Sequence, residues 1–198
     1  NFEEIAAQMR KTSEFYPAMG NHEKGSKIYF KVFPALQNRK WYSVQKGKIH
    51  FIILDSFSKL APGSEQYNWL ESDLKNIGKN TRFTIAVLHR PIYSTGFHSD
   101  SENLIRDIVP LFERYNVDMV FSGHDHHYER SHKSGIYYIV SGGGGARLWG
   151  QVRESPLSQV FKKVNHFCVL TLAGDELKMR VLDIDSNVID RVSIKAKR

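Results

Sequence analysis

"VDMVFSGHDHHYER", residues 117–130, decides how this chain reads. The opening "VDMVF" is a short apolar run with one acidic residue, as expected of a strand covered on both faces. Ser122-Gly123 ends it, and glycine permits a tight turn and close backbone approach there. His124, Asp125, His126 and His127 then follow without a break. Imidazole is the commonest metal ligand. His124 and His126, two residues apart at a strand end, can both point into one site, each toward its own metal.

Two other stretches share this context. "GNH" (20–22) and "LH" (88–89) also stand at the carboxyl ends of apolar runs. In open α/β sheets ligands bind outside the carboxyl ends of the strands, so the three loops are predicted to converge. Asn21, His89, His124 and His126 together offer three imidazoles and one amide oxygen, a donor set suited to Zn, Fe or Mn rather than Ca or Mg. Taken singly, each has an ordinary explanation. A lone histidine at a strand end caps or faces solvent, Asn21 is a turn residue, and Tyr128-Glu129-Arg130 can be an exposed turn. The coincidence of three such loops is what argues for metal.

Around these loops the pattern is α/β first and antiparallel later. "KWYSVQ" (40–45) and "KIHFIILDS" (48–56) predict a hairpin through Lys46-Gly47. "PGSEQYNWLESDLKNIG" (62–78) predicts a helix with Tyr67, Leu70, Leu74 and Ile77 as its apolar stripe. "RFTIAVLH" (82–89) is a buried strand. "SENLIRDIVPLFERYN" (101–116) is helical, with Pro110 kinking it or starting a second helix. "GIYYIVSGGGG" (135–145) is a strand running into glycines, read as a flexible connection. Residues 166–195 alternate strands with the turns "AGDE" and "DSN", an antiparallel meander. The opening "NFEEIAAQMRK" reads as the tail of a helix, which predicts that further chain precedes it.

Bulk properties narrow the function classes. The 198 residues suit one domain with a substantial core, and the formal net charge is +7. That charge fits a solvated surface or attraction of anionic substrates. No compact Lys/Arg block with interleaved aromatics marks a nucleic-acid groove, and no apolar run approaches the roughly 18–20 residues of a membrane span. Cys168 is the single cysteine, so a Cys-rich zinc site and an internal disulfide are excluded.

"GNHE" (20–23), "LHRPIYS" (88–94) and "GHDHHYER" (123–130) resemble the calcineurin-like metallophosphoesterases, in particular the purple-acid-phosphatase-like branch. "WYSVQKGKIHFIILDS" (41–56) and "EQYNWLESDLK" (65–75) are similar to that branch's hairpin and to its Gln-x-x-Trp-Leu helix. The resemblance implies an α+β fold: a four-layer α/β/β/α metallophosphoesterase sandwich with mixed sheets, around two divalent or trivalent metal ions (Fe, Zn or Mn) sharing a bridging hydroxide. It implies that Asn21, His89 and His124 hold one metal and His126 the other. His22 then stands beside the phosphate as an acid for the leaving oxygen, and His98 contacts substrate. His127 is read as an outer support or surface residue, and Asp125 as pointing away or bracing the loop. The family's Asp-x-His and Gly-Asp-x-x-Tyr motifs do not occur ahead of Gly20. The chain therefore reads as one metallophosphoesterase domain over 1–198, its C-terminal two-thirds, with the N-terminal strands absent.

The function so implied is metal-dependent hydrolysis of phosphate esters, as a phosphomonoesterase or phosphodiesterase acting on a phosphorylated small molecule or similar phosphoester. The alternative is a metal-poor fragment or pseudo-phosphatase serving as a binding module; retention of His22, which binds no metal in this reading, favours the enzyme. A His-Glu-x-x-His protease is disfavoured because "HEKGS" places Ser26 where the second histidine is required. The compartment stays open, and the resemblance leans toward an extracytoplasmic setting.

Overall fold

The computed structural model describes residues 11–23 and 26–197; the helix expected at the N-terminus lies outside them. Among the described residues, ten strands and four α-helices follow one another. They are α1 (Lys27–Val32), β1 (Tyr42–Lys46), β2 (Ile49–Ile53), α2 (Glu65–Lys75), β3 (Phe83–Val87), α3 (Glu102–Asp107), α4 (Val109–Arg114), β4 (Met119–Ser122), β5 (Tyr128–Lys133), β6 (Ile136–Ser141), β7 (Ser158–Lys162), β8 (His166–Ala173), β9 (Glu176–Asp183) and β10 (Val188–Lys195). The predicted hairpin forms, with Tyr42 opposite Ile53 and Gly47 at φ 54° in its turn. Pro110 sits in the first turn of α4, so it starts a second helix rather than kinking one.

Seven strands make a mixed sheet in the order β1-β2-β3-β4-β6-β5-β7. β2, β3, β4 and β6 are mutually parallel, whereas β1, β5 and β7 run antiparallel to their neighbours. Alternation along the strands sorts side chains between two cores. Ile52, Ala86, Val120 and Tyr138 face a layer built by Leu70, Leu74, Leu104, Leu111 and Phe112 of α2, α3 and α4. The next residues along, Ile49, Phe83, Ile85, Met119 and Ile139, face a second sheet and pack on Leu177, Met179, Val181 and Val192. Burying each such side chain contributes about 1.5–3 kcal/mol. The second sheet is the predicted meander, in the order β10-β9-β8. Near β1 and β2, Tyr29 of α1 joins Met19, Leu36, Tyr42 and Ile53 in a smaller cluster.

Polar ties join the two sheets. Asp190 on β10 accepts hydrogen bonds from the Tyr128 hydroxyl (2.6 Å) and from Arg130 Nε (2.7 Å) on β5. Arg82 grips Asp175 with Nε and Nη2 at 3.1 and 2.9 Å. Tyr128-Glu129-Arg130 is therefore a buried strand and not the exposed turn its polarity allowed. Because the four parallel strands share a direction, the loops after β2, β3, β4 and β6 emerge along one edge.

Candidate metal centre

Each predicted ligand reaches this edge for a local reason. His89 stands two residues past the end of β3, and its carbonyl accepts the Gly123 N–H at 3.0 Å, which ties the β3 and β4 loops together. His124 sits at φ 66°, in the left-handed region that side-chain-bearing residues seldom occupy. Such a backbone costs about 1–3 kcal/mol and is characteristic of functional sites. Asn21 comes from the turn ahead of α1. Gly20 leaves room for its neighbours: a Cβ there would stand 2.8 Å from Glu23 Oε2 and 2.9 Å from the His89 ring, so those side chains would have to shift.

The three side chains meet. His89 Nε2 lies 2.9 Å from Asn21 Oδ1 and 3.1 Å from His124 Nδ1. Donors sharing one cation with bonds near 2.1 Å stand about 3.0–3.4 Å apart in octahedral or tetrahedral arrangements, close to both distances from His89 Nε2. The imidazoles are also electronically suited. Burial lowers the His89 pKa against the opposing pull of Glu23. Burial first, then the neighbouring His98 and His89, lowers His124 to about 4. Both therefore offer neutral nitrogen lone pairs at neutral pH, the form that binds metal. Among the described residues no group of three His, Cys, Asp or Glu side chains forms a complete metal cage; the convergent set counts two imidazoles and one amide.

His126 and His22 stand further out. His126 Nδ1 faces the Arg147 carbonyl at 2.9 Å, which leaves Nε2 as its free nitrogen, the usual arrangement of a ligand braced from behind. Both His126 and His22 act electrostatically on His89, and His22 is exposed to solvent. His98 lies face to face with His124, ring centroids 3.8 Å apart. Its Nδ1 is 2.6 Å from Asp125 Oδ1, which also accepts the His98 backbone N–H at 3.2 Å.

The histidine stretch divides by alternation. His124 and His126 face the edge, while Asp125, His127 and Glu129 point inward and are buried. Asp125 braces the loop, one of the two roles read from sequence, by holding His98 and the Ser94 hydroxyl. His127 is fully buried rather than superficial, with Nε2 at 3.2 Å from Glu129 Oε2. Burial raises the Glu129 carboxyl, but hydrogen bonds from His127 and Thr95 outweigh it and hold it below the usual range.

The glycine run after β6 corrects the expectation of a flexible connection. A Cβ on Gly142 would lie 2.0 Å from the Asp125 carbonyl oxygen, and one on Gly143 2.4 Å from His166 Nδ1. These glycines let β6 pass against the histidine loop; only Gly144 and Gly145 face open space. Reasoning from sequence also missed Glu23, which caps the Gly20 N–H at 3.0 Å, and Phe57, whose ring is 5.8 Å from His89 and 6.2 Å from His124. It missed Trp149 too, 4.2 Å from the His126 ring. Glu23 alone carried a signal, as the fourth residue of "GNHE".

A mixed sheet flanked by helices and backed by a smaller sheet, with histidine-bearing loops along one edge, is the metallophosphoesterase sandwich. The chain belongs to the calcineurin-like phosphoesterase family, which it matches over residues 1–128, and to its purple-acid-phosphatase-like branch. It is 32% identical over 133 residues to the Fe(3+)-Zn(2+) purple acid phosphatase 12 of Arabidopsis thaliana, covering 65% of this chain and 27% of that protein. Purple acid phosphatase PPD1 from yellow lupin superposes with a TM-score of 0.77 at 26% identity, over 93% of this chain and 38% of that one. GAP50, the anchor in the inner membrane complex of Plasmodium, superposes at 0.81 with 21% identity, over 93% of this chain and 66% of that one, a likeness of fold alone. The chain spans roughly a quarter of the length of the curated relatives it matches. No helix among the described residues is long and apolar enough to cross a membrane.

Proposed function

We propose that residues 1–198 are the C-terminal two-thirds of one phosphoesterase domain, and that the edge built by Asn21, His89, His124 and His126 is its binuclear metal centre. The observation that carries this is the approach of Asn21 Oδ1 and His124 Nδ1, each from a separate loop, to 2.9 and 3.1 Å from His89 Nε2. The family supports phosphoester hydrolysis as the reaction, and a relative named for Fe(3+) and Zn(2+) supports two metals.

Asn21, His89 and His124 would hold one ion, and His126 would contribute its free Nε2 to the other. When bound, two such ions lower the pKa of water and neutralise phosphate oxygens. The chain's own residues do the rest. His98, fixed by Asp125 and stacked on His124, presents its remaining nitrogen toward the phosphate. A water oxygen forms the new bond to phosphorus as the P–O ester bond breaks, and His22 donates its proton to the departing oxygen. Arg90, adjoining His89, adds positive charge for an anionic substrate. The family resemblance leans toward an extracytoplasmic setting.

The test compares His22→Ala with His89→Ala in the complete protein by elemental analysis and by 4-nitrophenyl phosphate hydrolysis. His22→Ala should keep its metal and lose about 10²–10⁴-fold in turnover. His89→Ala should lose metal. If His22→Ala strips metal as fully as His89→Ala, the roles are wrongly assigned. A wild-type protein that binds no metal and hydrolyses nothing returns the reading to a binding module.

A further inference from the structure

The site does not end at its histidines. Phe97 is 67% exposed and Val152 57%, a high degree for large apolar side chains. Isolated cases of this kind carry no meaning, but contiguous ones do. These two line one cavity of about 480 Å³ together with Leu148, Trp149, Arg147 and Lys163. That volume lies within the range of small-molecule sites.

Ring contacts join this cavity to the centre. Trp149 lies 4.2 Å from the ring of His126 and 5.2 Å from that of His98. Phe97 meets His98 edge-on at 5.4 Å and Trp149 at 5.6 Å. The cavity is also held in place by both neighbouring loops. The Trp149 N–H donates to the His126 carbonyl, and the Val152 N–H donates to the Thr95 carbonyl, each at 3.0 Å. Arg153 also donates to the Gly96 carbonyl. An aromatic floor, braced before any ligand arrives and rimmed by two cations, thus begins where the proposed phosphate position ends.

We propose that the Phe97–Trp149 shelf is the leaving-group subsite, and that it takes phosphoesters whose leaving group carries a planar aromatic ring. This rests on the phosphoesterase reading above. With His22 at the leaving oxygen, the group beyond that oxygen can lie along His98 or His126, and both of those rings abut Trp149. Offset or edge contacts between aromatic rings favour a flat partner over an aliphatic one of similar size. Arg147 and Lys163 at the rim suit the negative charge such a substrate brings.

The experiment uses non-hydrolysable probes on the complete, metal-loaded protein. Dissociation constants for 1-naphthylphosphonate and methylphosphonate are measured by calorimetry on wild type, Phe97→Ala and Trp149→Ala. The aryl-to-methyl preference should be at least about 10-fold in wild type and fall below about 3-fold in both variants. Phe97 is exposed, so Phe97→Ala remains informative even if Trp149→Ala disturbs the loop. In parallel, 1-naphthol, the leaving group alone, should quench tryptophan fluorescence in wild type and not in Trp149→Phe. Phosphonates that bind without aryl preference, or with a preference that survives both substitutions, overturn the subsite and leave the phosphoesterase reading standing. Naphthol quenching at Trp149 with no phosphonate binding upholds the shelf and overturns the metal centre instead. Absence of both signals overturns both.

Discussion

Replacing Asp190 with alanine tests whether the two sheets are locked by polar chemistry as well as apolar contact. The Asp190 side chain is only 10% exposed and that of its partner Arg130 14%, while Tyr128 is fully buried. Removing one member of a buried ion pair costs about 3–5 kcal/mol. Arg130 keeps a bond to Gln159 and some solvent, which reduces that loss, and the orphaned Tyr128 hydroxyl adds about 1–3 kcal/mol. The expected net loss is about 3–4 kcal/mol, or about 6–16 °C in Tm for a chain of this size. Urea denaturation followed by tryptophan fluorescence measures it. The effect carries its own pH signature. Burial raises the Asp190 carboxyl, but hydrogen bonds from Arg130 and Tyr128 outweigh it and hold the group below the usual carboxylate range. A depressed folded-state pKa stabilises fully above the unfolded value of about 3.9, and the stabilisation disappears as pH falls through the folded value. The gap between wild type and Asp190→Ala should therefore be widest near neutrality and narrow below about pH 4. A variant within about 1 kcal/mol of wild type at pH 7, or a gap that stays constant into acid, would refute the reasoning.

Further outcomes follow from the packing of the histidine loop. Gly142→Ala pushes a Cβ to 2.0 Å from the Asp125 carbonyl oxygen, a backbone atom that cannot swing aside. It should destabilise by more than about 3 kcal/mol in the same urea assay. Gly144→Ala, which meets nothing within 4 Å, should stay within about 0.5 kcal/mol of wild type. Asp125→Ala removes the acceptor for the His98 backbone N–H, the His98 ring and the Ser94 hydroxyl. It should cost about 2–4 kcal/mol and speed amide hydrogen exchange at His98; unchanged exchange there would mean the loop is held some other way.

Local signals in the chain determined the elements and singled out the candidate ligands. Apolar runs marked β3, β4 and β6, the turn at Gly47 marked the hairpin, and the Tyr67–Leu70–Leu74–Ile77 stripe marked α2. These depend on neighbours a few residues apart, which sequence displays directly. Asn21, His89 and His124 could be named because each follows an apolar run, in "GNH", "LH" and "GHDH". Only the tertiary structure decided what lies beside what. β5 looked like a polar turn because Glu129 and Arg130 owe their burial to Thr95 and Asp190, 34 and 60 residues away. The glycines after β6 looked flexible because the atoms that exclude a side chain, the Asp125 carbonyl and the His166 ring, come from other segments of the chain. Trp149 gave no signal for the same reason. A ring becomes part of a site only when the fold sets it against His126, and contact between distant segments is not written in the order of residues.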